Sequence, residues 1–166
     1  MILNYLHKVG WFVGLVLLQA LILNNVNIAN CATPFLYIYL LLKFESDTSR
    51  NALMLWAFCL GISIDIFSDT LGMNAAATVA LAFLRPWLLR GFMPREGLDN
   101  IVPSTASLGG SAFVKFVLTA VVIHHTLLLS IEFFSFEHIG LLLLRIAACS
   151  ALTSICIFAV EGLRRN

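Results

Sequence analysis

The chain has 166 residues, of which 60% are apolar and 11% charged, with a net charge of +1 and a mean hydropathy of +0.95. A soluble domain carries about a quarter charged residues, so the composition excludes a soluble globular class, and the near-zero net charge offers no signal for nucleic acid. The apolar segments use up nearly the whole length, so residues 1–166 read as a single integral membrane domain.

A helix needs about 20 apolar residues to cross the roughly 30 Å hydrocarbon layer. Val9–Ile28 meets that requirement, interrupted only by Gln19 and closed by an Asn-rich end. The apolar stretch after Met1–Gly10 lacks a small-x-small cleavage site, so no removable leader is expected. Thr33–Phe44 is short for a crossing, yet charge parity counts it as one. Without it, Lys43 and Arg50 would face the far side and every later loop would oppose the positive-inside bias. Ala52–Phe67, Leu71–Leu89, Ser111–Phe134 and Ile139–Gly162 complete a set of six. Trp11, Trp56 and Trp87 fall near span ends, where indole rings favour the headgroup level. One connection, Gly91–Gly110, is long. With Phe92, Met93, Leu98, Ile101 and Val102 among its charges, it reads equally as a solvated linker or as a docking segment at headgroup level.

Lys8; Lys43 with Arg50; Arg85, Arg90 and Arg95; and Arg164 with Arg165 form four basic stretches that six crossings place on one side. The turns on the other side carry acids, Asp69 and Glu137, with Glu132 at a helix end. Short cytoplasmic loops collect Lys and Arg, so both termini are expected in the cytoplasm.

Polar groups within a bilayer are costly and need a reason. Asp65 lies near the outer end of the third span and Asp69 in the turn after it. Lys115 is close enough to a span end to snorkel. Arg145 is deeper, about 9 Å inside the sixth span, and is expected to pair with Asp65, Asp69, Glu132 or His125. A structural ion pair is the first reading of Arg145, and a substrate or transport site the second. His124, His125 and His138 do not make a zinc site, because adjacent histidines point about 100° apart and no i, i+4 ligand pair exists. A hydrogen-bonded network that joins His125 to Arg145 is the reading favoured over a metal. Cys31, Cys59, Cys149 and Cys156 lack metal or disulfide spacing. No HExxH, GxSxG or Gly-rich phosphate loop is present, so neither a cofactor nor an enzymatic activity is expected.

Small residues recur every four positions at Gly72, Ala76 and Ala80, and again at Ala147 and Ala151. Such stripes allow close helix approach in lipid. They are assigned first to packing within the chain and second to a partner's helix.

The run Gly61-Ile62-Ser63-Ile64-Asp65-Ile66-Phe67-Ser68-Asp69-Thr70-Leu71-Gly72-Met73-Asn74-Ala75 resembles the signature of the MreD family of rod shape-determining membrane proteins. That family shows a Gly, an Asp four residues later, then Leu-Gly before a small-residue helix; here these are Gly61, Asp65, Leu71-Gly72 and Ala75. Asp69 adds a second acid. The resemblance extends to the short length, the six spans, the Arg85-Pro86 exit from the fourth and the Ile123-His124-His125 run ending near Glu132. It implies an all-α, polytopic membrane bundle, similar to the substrate-binding components of energy-coupling-factor transporters. It further implies a non-enzymatic part of the bacterial wall-elongation machinery in the inner membrane. The partners it implies are MreC and, through it, RodA, a penicillin-binding transpeptidase and MreB, in contact with membrane lipids. A small-ligand-binding subunit of a vitamin-type transporter is the alternative, and a membrane protease or lipid-modifying enzyme a distant third.

Overall fold

A computed structural model describes residues 2–26, 32–93, 101–133 and 139–165, and every regular element in them is helical. Helix α1 is Ile2–Leu21, followed by a 3-10 turn at Leu23–Asn25. Helix α2 is Ile38–Leu42, α3 Arg50–Ser68, α4 Met73–Phe92, α5 Thr105–Leu108, α6 Gly110–Phe133 and α7 Ile139–Arg165. Four helical stretches, Leu6–Asn25, Arg50–Ser68, Gly110–Phe133 and Ile139–Arg164, are long and apolar enough to cross a membrane. Helix α4 is 20 residues long, but Asn74, Thr78 and Arg85 dilute its hydropathy, and all three are buried. Cys31, Arg95, Leu98, Phe134, Phe136, Glu137 and His138 lie outside the described residues.

Helices α3 and α4 form the most extensively packed pair. Their corner is built by backbone conformation that few residues accept. Helix α3 ends at Asp69 with φ 53°, and Gly72 enters α4 at φ 78°; only Gly takes such a left-handed backbone without penalty, and Asp tolerates it. The two helices then approach closely at Gly61, where a Cβ would stand 2.6 Å from the Ala75 amide nitrogen. Thr78 reinforces the contact, its Oγ1 donating to the Ala57 carbonyl at 3.0 Å. The face of α4 turned inward therefore carries Ala75, Thr78 and Ala82, while Ala76 is exposed and Ala80 half-buried. On α7, Ala147 and Ala151 are exposed as well. The expectation that these stripes pack within the chain is thus corrected: a spacing of four defines a face but does not say which way it turns.

Between α1 and α3 the chain does not form the continuous helix that Thr33–Phe44 suggested. Only Ile38–Leu42 is α-helical, and Tyr37, Ile38, Leu41 and Leu42 are at or below 1% exposure. Gln19 of α1 meets its beginning, at Pro34 and Leu36, whereas Lys8 of α1 meets its end, at Glu45. About 16 Å of helix separates those two α1 positions, so this segment carries the chain back along α1. Helices α4, α6 and α7 flank the same segment: Asn74 and His124 reach Tyr37, Thr153 reaches Phe35, Glu161 reaches Tyr39 and Lys43, and Arg85 reaches Leu42.

Basic residues gather at one end of the bundle. Lys8 pairs with Glu45 at 3.1 Å, Lys43 pairs with Glu161 at 2.9 Å, and the Arg50 guanidinium lies 4.6 Å from the Trp87 ring centre. Arg85, expected in the basic stretch where the fourth span exits, is a buried helix residue. Helix α4 continues through Pro86 to Phe92, and Arg85 is 1% exposed. The described part of the 91–110 connection is docked rather than free. Ser46 donates its amide to the Ile101 carbonyl at 2.9 Å, Lys43 donates to the Pro103 carbonyl at 2.8 Å, and Ser104 caps α5.

Gly61→Ala inserts a methyl against α4 backbone, which cannot yield by a rotamer change. Overpacking of this kind costs about 1–3 kcal/mol. The thermal midpoint of the purified variant should fall well below the parent's, while Gly140→Ala, whose Cβ meets nothing within 4 Å, should leave it unchanged. Equal midpoints for Gly61→Ala and the parent would show that α3 and α4 do not approach this closely.

Candidate functional site

The polar groups inside the bundle form a directed chain of hydrogen bonds, and Asp65 sets its direction. Its side chain is 2% exposed and sits one turn before the end of α3, opposite the first turn of α4. One carboxylate oxygen accepts the Asn74 amide N–H at 3.0 Å, the Asn74 Nδ2 at 3.0 Å and the Thr70 hydroxyl; the other accepts the Ala75 amide N–H at 2.9 Å. Those amides are among the orphan donors of a helix N-terminus, whose partial positive charge favours a carboxylate. Asp65 is therefore the cap of α4, supplied from α3.

An ionised carboxylate only accepts, which turns the Asn74 NH₂ toward Asp65 and its Oδ1 away. Oδ1 then accepts the Tyr37 hydroxyl at 2.9 Å. That hydroxyl has one proton, so the His124 Nε2 at 3.1 Å donates to the Tyr37 oxygen. His125 takes the opposite tautomer. Its Nδ1 donates to the Val121 carbonyl at 2.8 Å, and its Nε2 accepts from Thr153 Oγ1 at 3.2 Å. Thr153 in turn accepts the Phe35 amide at 2.9 Å. Tyr37, His124, His125 and Thr153 are all at 0% exposure. Among the described residues, no three His, Cys, Asp or Glu side chains gather to hold a metal ion.

Gly61, Asp65, Asp69 and Gly72 come together at the α3–α4 corner, as cap, close contact and turn. Asp69 itself is exposed. Asp65 and His125, two of the partners expected for Arg145, are both members of the buried chain. Arg145 lies in the second turn of α7 with its guanidinium 5.0 Å from the Phe133 ring centre, and Glu132, next to Phe133 in the chain, is exposed. Lys115 is exposed on α6, consistent with the snorkelling position read from sequence.

Tyr37 and Thr153 were not singled out from sequence, and Gln19, Asn74 and Arg85 were noted there without the bonds they make here. Their signal was indirect: a buried segment too short to satisfy its own backbone requires polar side chains from its neighbours. A cavity of about 360 Å³ opens at the Asp65 end, lined in part by Asn24, Thr33, Phe35, Phe67, Asn74 and Glu132. No family model, curated protein or solved structure matches the chain.

Removing the Asp65 carboxylate leaves two buried amides without acceptors, and each such orphan costs about 1–3 kcal/mol. Asp65→Ala should lower the thermal midpoint more than Asp65→Asn, whose one carbonyl oxygen can still accept. Asp69→Asn, exposed and tolerant of a left-handed backbone, should stay within about 0.5 kcal/mol of the parent. A ranking with Asp69→Asn as the most damaging of the three would remove the capping role.

Proposed function

We propose that this protein is a membrane scaffold of bacterial cell-wall elongation, of the MreD kind, which acts without catalysis by holding MreC in a fixed membrane geometry. The observation that carries the reading is the role of the signature residues. Gly61, Asp65, Gly72 and Ala75 together make one closed corner, in which Asp65 is fully occupied by α4 amides and side chains. A motif spent on architecture fits a protein whose work is done by its outer surface. That surface is apolar along several helices, with Leu55, Ile66 and Ile155 exposed. In a membrane such faces meet lipid or another protein's helices, and small side chains such as Ala76, Ala147 and Ala151 permit close approach.

The same reading has six crossings, with 33–44 as a broken one, both termini cytoplasmic, and the inner membrane as the compartment. Its support is the gathering of Lys8, Lys43 and Arg50 at one end of the bundle and of Asp69 and Glu132 toward the other. Contact with RodA, a penicillin-binding transpeptidase and MreB would then run through MreC. The alternative, a small-ligand-binding subunit of a vitamin-type transporter, is favoured by the 360 Å³ cavity, within the size range of small-molecule sites.

Co-expression with tagged MreC and purification from solubilised membranes tests the scaffold directly. The expected result is recovery of both proteins, with Ala76→Leu or Ala147→Leu lowering MreC recovery while the folded protein persists. Failure to recover MreC, together with tight binding of a vitamin-sized ligand, would replace the scaffold by the transporter subunit. Orientation is tested by impermeant thiol labelling of intact cells, with the native cysteines replaced by serine. Leu71→Cys should label from outside and Asp47→Cys only after lysis; the reverse pattern would invert the topology.

A further inference from the structure

The basic end of the bundle holds a pocket of about 240 Å³ that the corner and the buried network do not use. Its walls come from four separated parts of the chain: His7, Lys8 and Trp11 on α1, Lys43 and Glu45 at the end of α2 and just after it, Val102 of the 91–110 connection, and Arg164 at the end of α7. The charges are arranged rather than scattered. Lys8 faces Glu45 at 3.1 Å, Lys43 faces Glu161 at 2.9 Å, and the Arg164 guanidinium lies 5.8 Å from the Trp11 ring centre. Three cations against two carboxylates leave one positive charge in excess. Trp11 donates its ring N–H to His7 Nε2 at 3.0 Å, which leaves the His7 Nδ1–H as a further donor.

His7 and Trp11 also line a second recess, which continues along α1 past Gly10 and Gly14 to Leu18. A Cβ at either glycine would meet nothing within 4 Å, so the two missing side chains leave a trough. From Leu6 to Leu18 the trough follows α1 for about 18 Å, comparable with the roughly 15 Å depth of one leaflet's hydrocarbon. Helix α1 is the least buried of the four long apolar helices, so it has most to gain from a molecule that bridges it to α2 and α7.

We propose that this end of the protein is an anionic phospholipid site, with the phosphate held among Lys8, Lys43 and Arg164 and one acyl chain lying in the Gly10–Gly14 trough. A free phosphate has the same headgroup chemistry, but it would leave the trough unused. The continuity of the pocket and the trough through His7 and Trp11 selects the lipid. Basic pockets between helices at a cytoplasmic surface are suited to anionic headgroups. The proposal stands on the membrane character of the helices and does not rest on the scaffold reading.

The test uses the whole protein purified in neutral detergent, read by thermal midpoint and by native mass spectrometry. It is titrated separately with phosphatidylglycerol, phosphatidylcholine and inorganic phosphate. At about a hundredfold excess over Kd, phosphatidylglycerol should raise the midpoint by on the order of 5 °C and be retained in the mass spectrum. Phosphatidylcholine and phosphate should do neither, and the shift should shrink in high salt. Gly14→Leu fills an open trough, so its lipid-free midpoint should match or exceed the parent's; Arg164→Gln gives up an exposed cation's contact with Trp11 and should lower the lipid-free midpoint only slightly; each should lose the lipid shift. An equal shift from inorganic phosphate would reduce the site to an anion pocket and overturn the lipid assignment. Equal shifts from both lipids, unchanged in the two variants, would mean only general solvation by lipid. Retention of the full shift in Gly14→Leu would remove the acyl trough.

Discussion

The rest of the bundle is arranged around a segment that cannot satisfy its own backbone. A five-residue helix is nearly all terminus, since the first four N–H groups and last four carbonyls of any helix lack internal partners. Residues 33–44 surround such a helix with turns and extended backbone, buried within the bundle, where an unsatisfied peptide group costs about 1–3 kcal/mol. The neighbours supply what is missing. Gln19 on α1 accepts the Leu36 amide and donates to the Pro34 carbonyl, so one side-chain amide behaves like a strand partner. Thr153 on α7 takes the Phe35 amide. At the other end Arg85 on α4 donates to the Leu42 and Phe44 carbonyls. Each of these bonds fixes a depth on a different helix, so satisfying one short segment sets the register of α1, α4 and α7 at once.

That dependence explains which parts of the structure could be read from the residues in order. Long apolar runs announce α1, α3, α6 and α7, because a helix that meets lipid must be apolar over its length. The turn between α3 and α4 was legible too, as a short break between two apolar runs, whereas the cap that Asp65 supplies to α4 was not, because an acid near a span end looks equally like half of an ion pair. Arg85 misled because an Arg-Pro pair looks like a helix exit. Proline forfeits one backbone bond and disturbs the turn before it, yet α4 runs on, and the arginine faces inward to serve a segment some forty residues earlier. Nothing in the spacing of Gln19, Thr153 and Arg85 announces a shared duty. Only the shortness of 33–44 does, and it names the need without naming the residues. The stripes at Ala76 and Ala147 failed for a related reason: close packing of α3 on α4 required one glycine at one position, which a periodic pattern dilutes.

The buried hydrogen-bond chain adds specificity more than raw stability. A polar network inside a protein is favourable only when its members are satisfied, and this one nearly is. From Asp65 to Asn74, Tyr37 and His124 the donor direction is forced at each link, and the chain ends at His124 Nδ1, which has no hydrogen-bond partner among the described residues. His125, one residue on, belongs to a separate branch through Thr153. Adjacent histidines on α6 thus point to different neighbours, one to Tyr37 at the start of α2, the other to Thr153 on α7. A slip of α6 by one residue would exchange the two rings and break both branches. Apolar packing alone would tolerate such a slip far better, because Leu, Val and Ile fill similar spaces.

With the interior committed to holding itself together, the parts of this molecule that remain available to other molecules are its sides and its two ends, and these differ in kind. The Asp65 end is closed at the corner by a carboxylate whose acceptor sites are filled by its own chain. The opposite end is built from ion pairs that keep open space between three elements, where a buried pair such as Lys43–Glu161 is balanced by the hydroxyl of Tyr39 at 2.6 Å. Charges held this way stay ordered without collapsing onto one another, and an entering anion meets donors already in place. Of these pairs, Lys8–Glu45 ties the basic end of α1 to the segment after α2, beside the ring contacts of Trp11 with Tyr39 and Phe12 with Trp56. Order in that helix and occupancy of that pocket are therefore coupled by construction: whatever fills the space among Lys8, Lys43 and Arg164 also fastens α1 to the bundle.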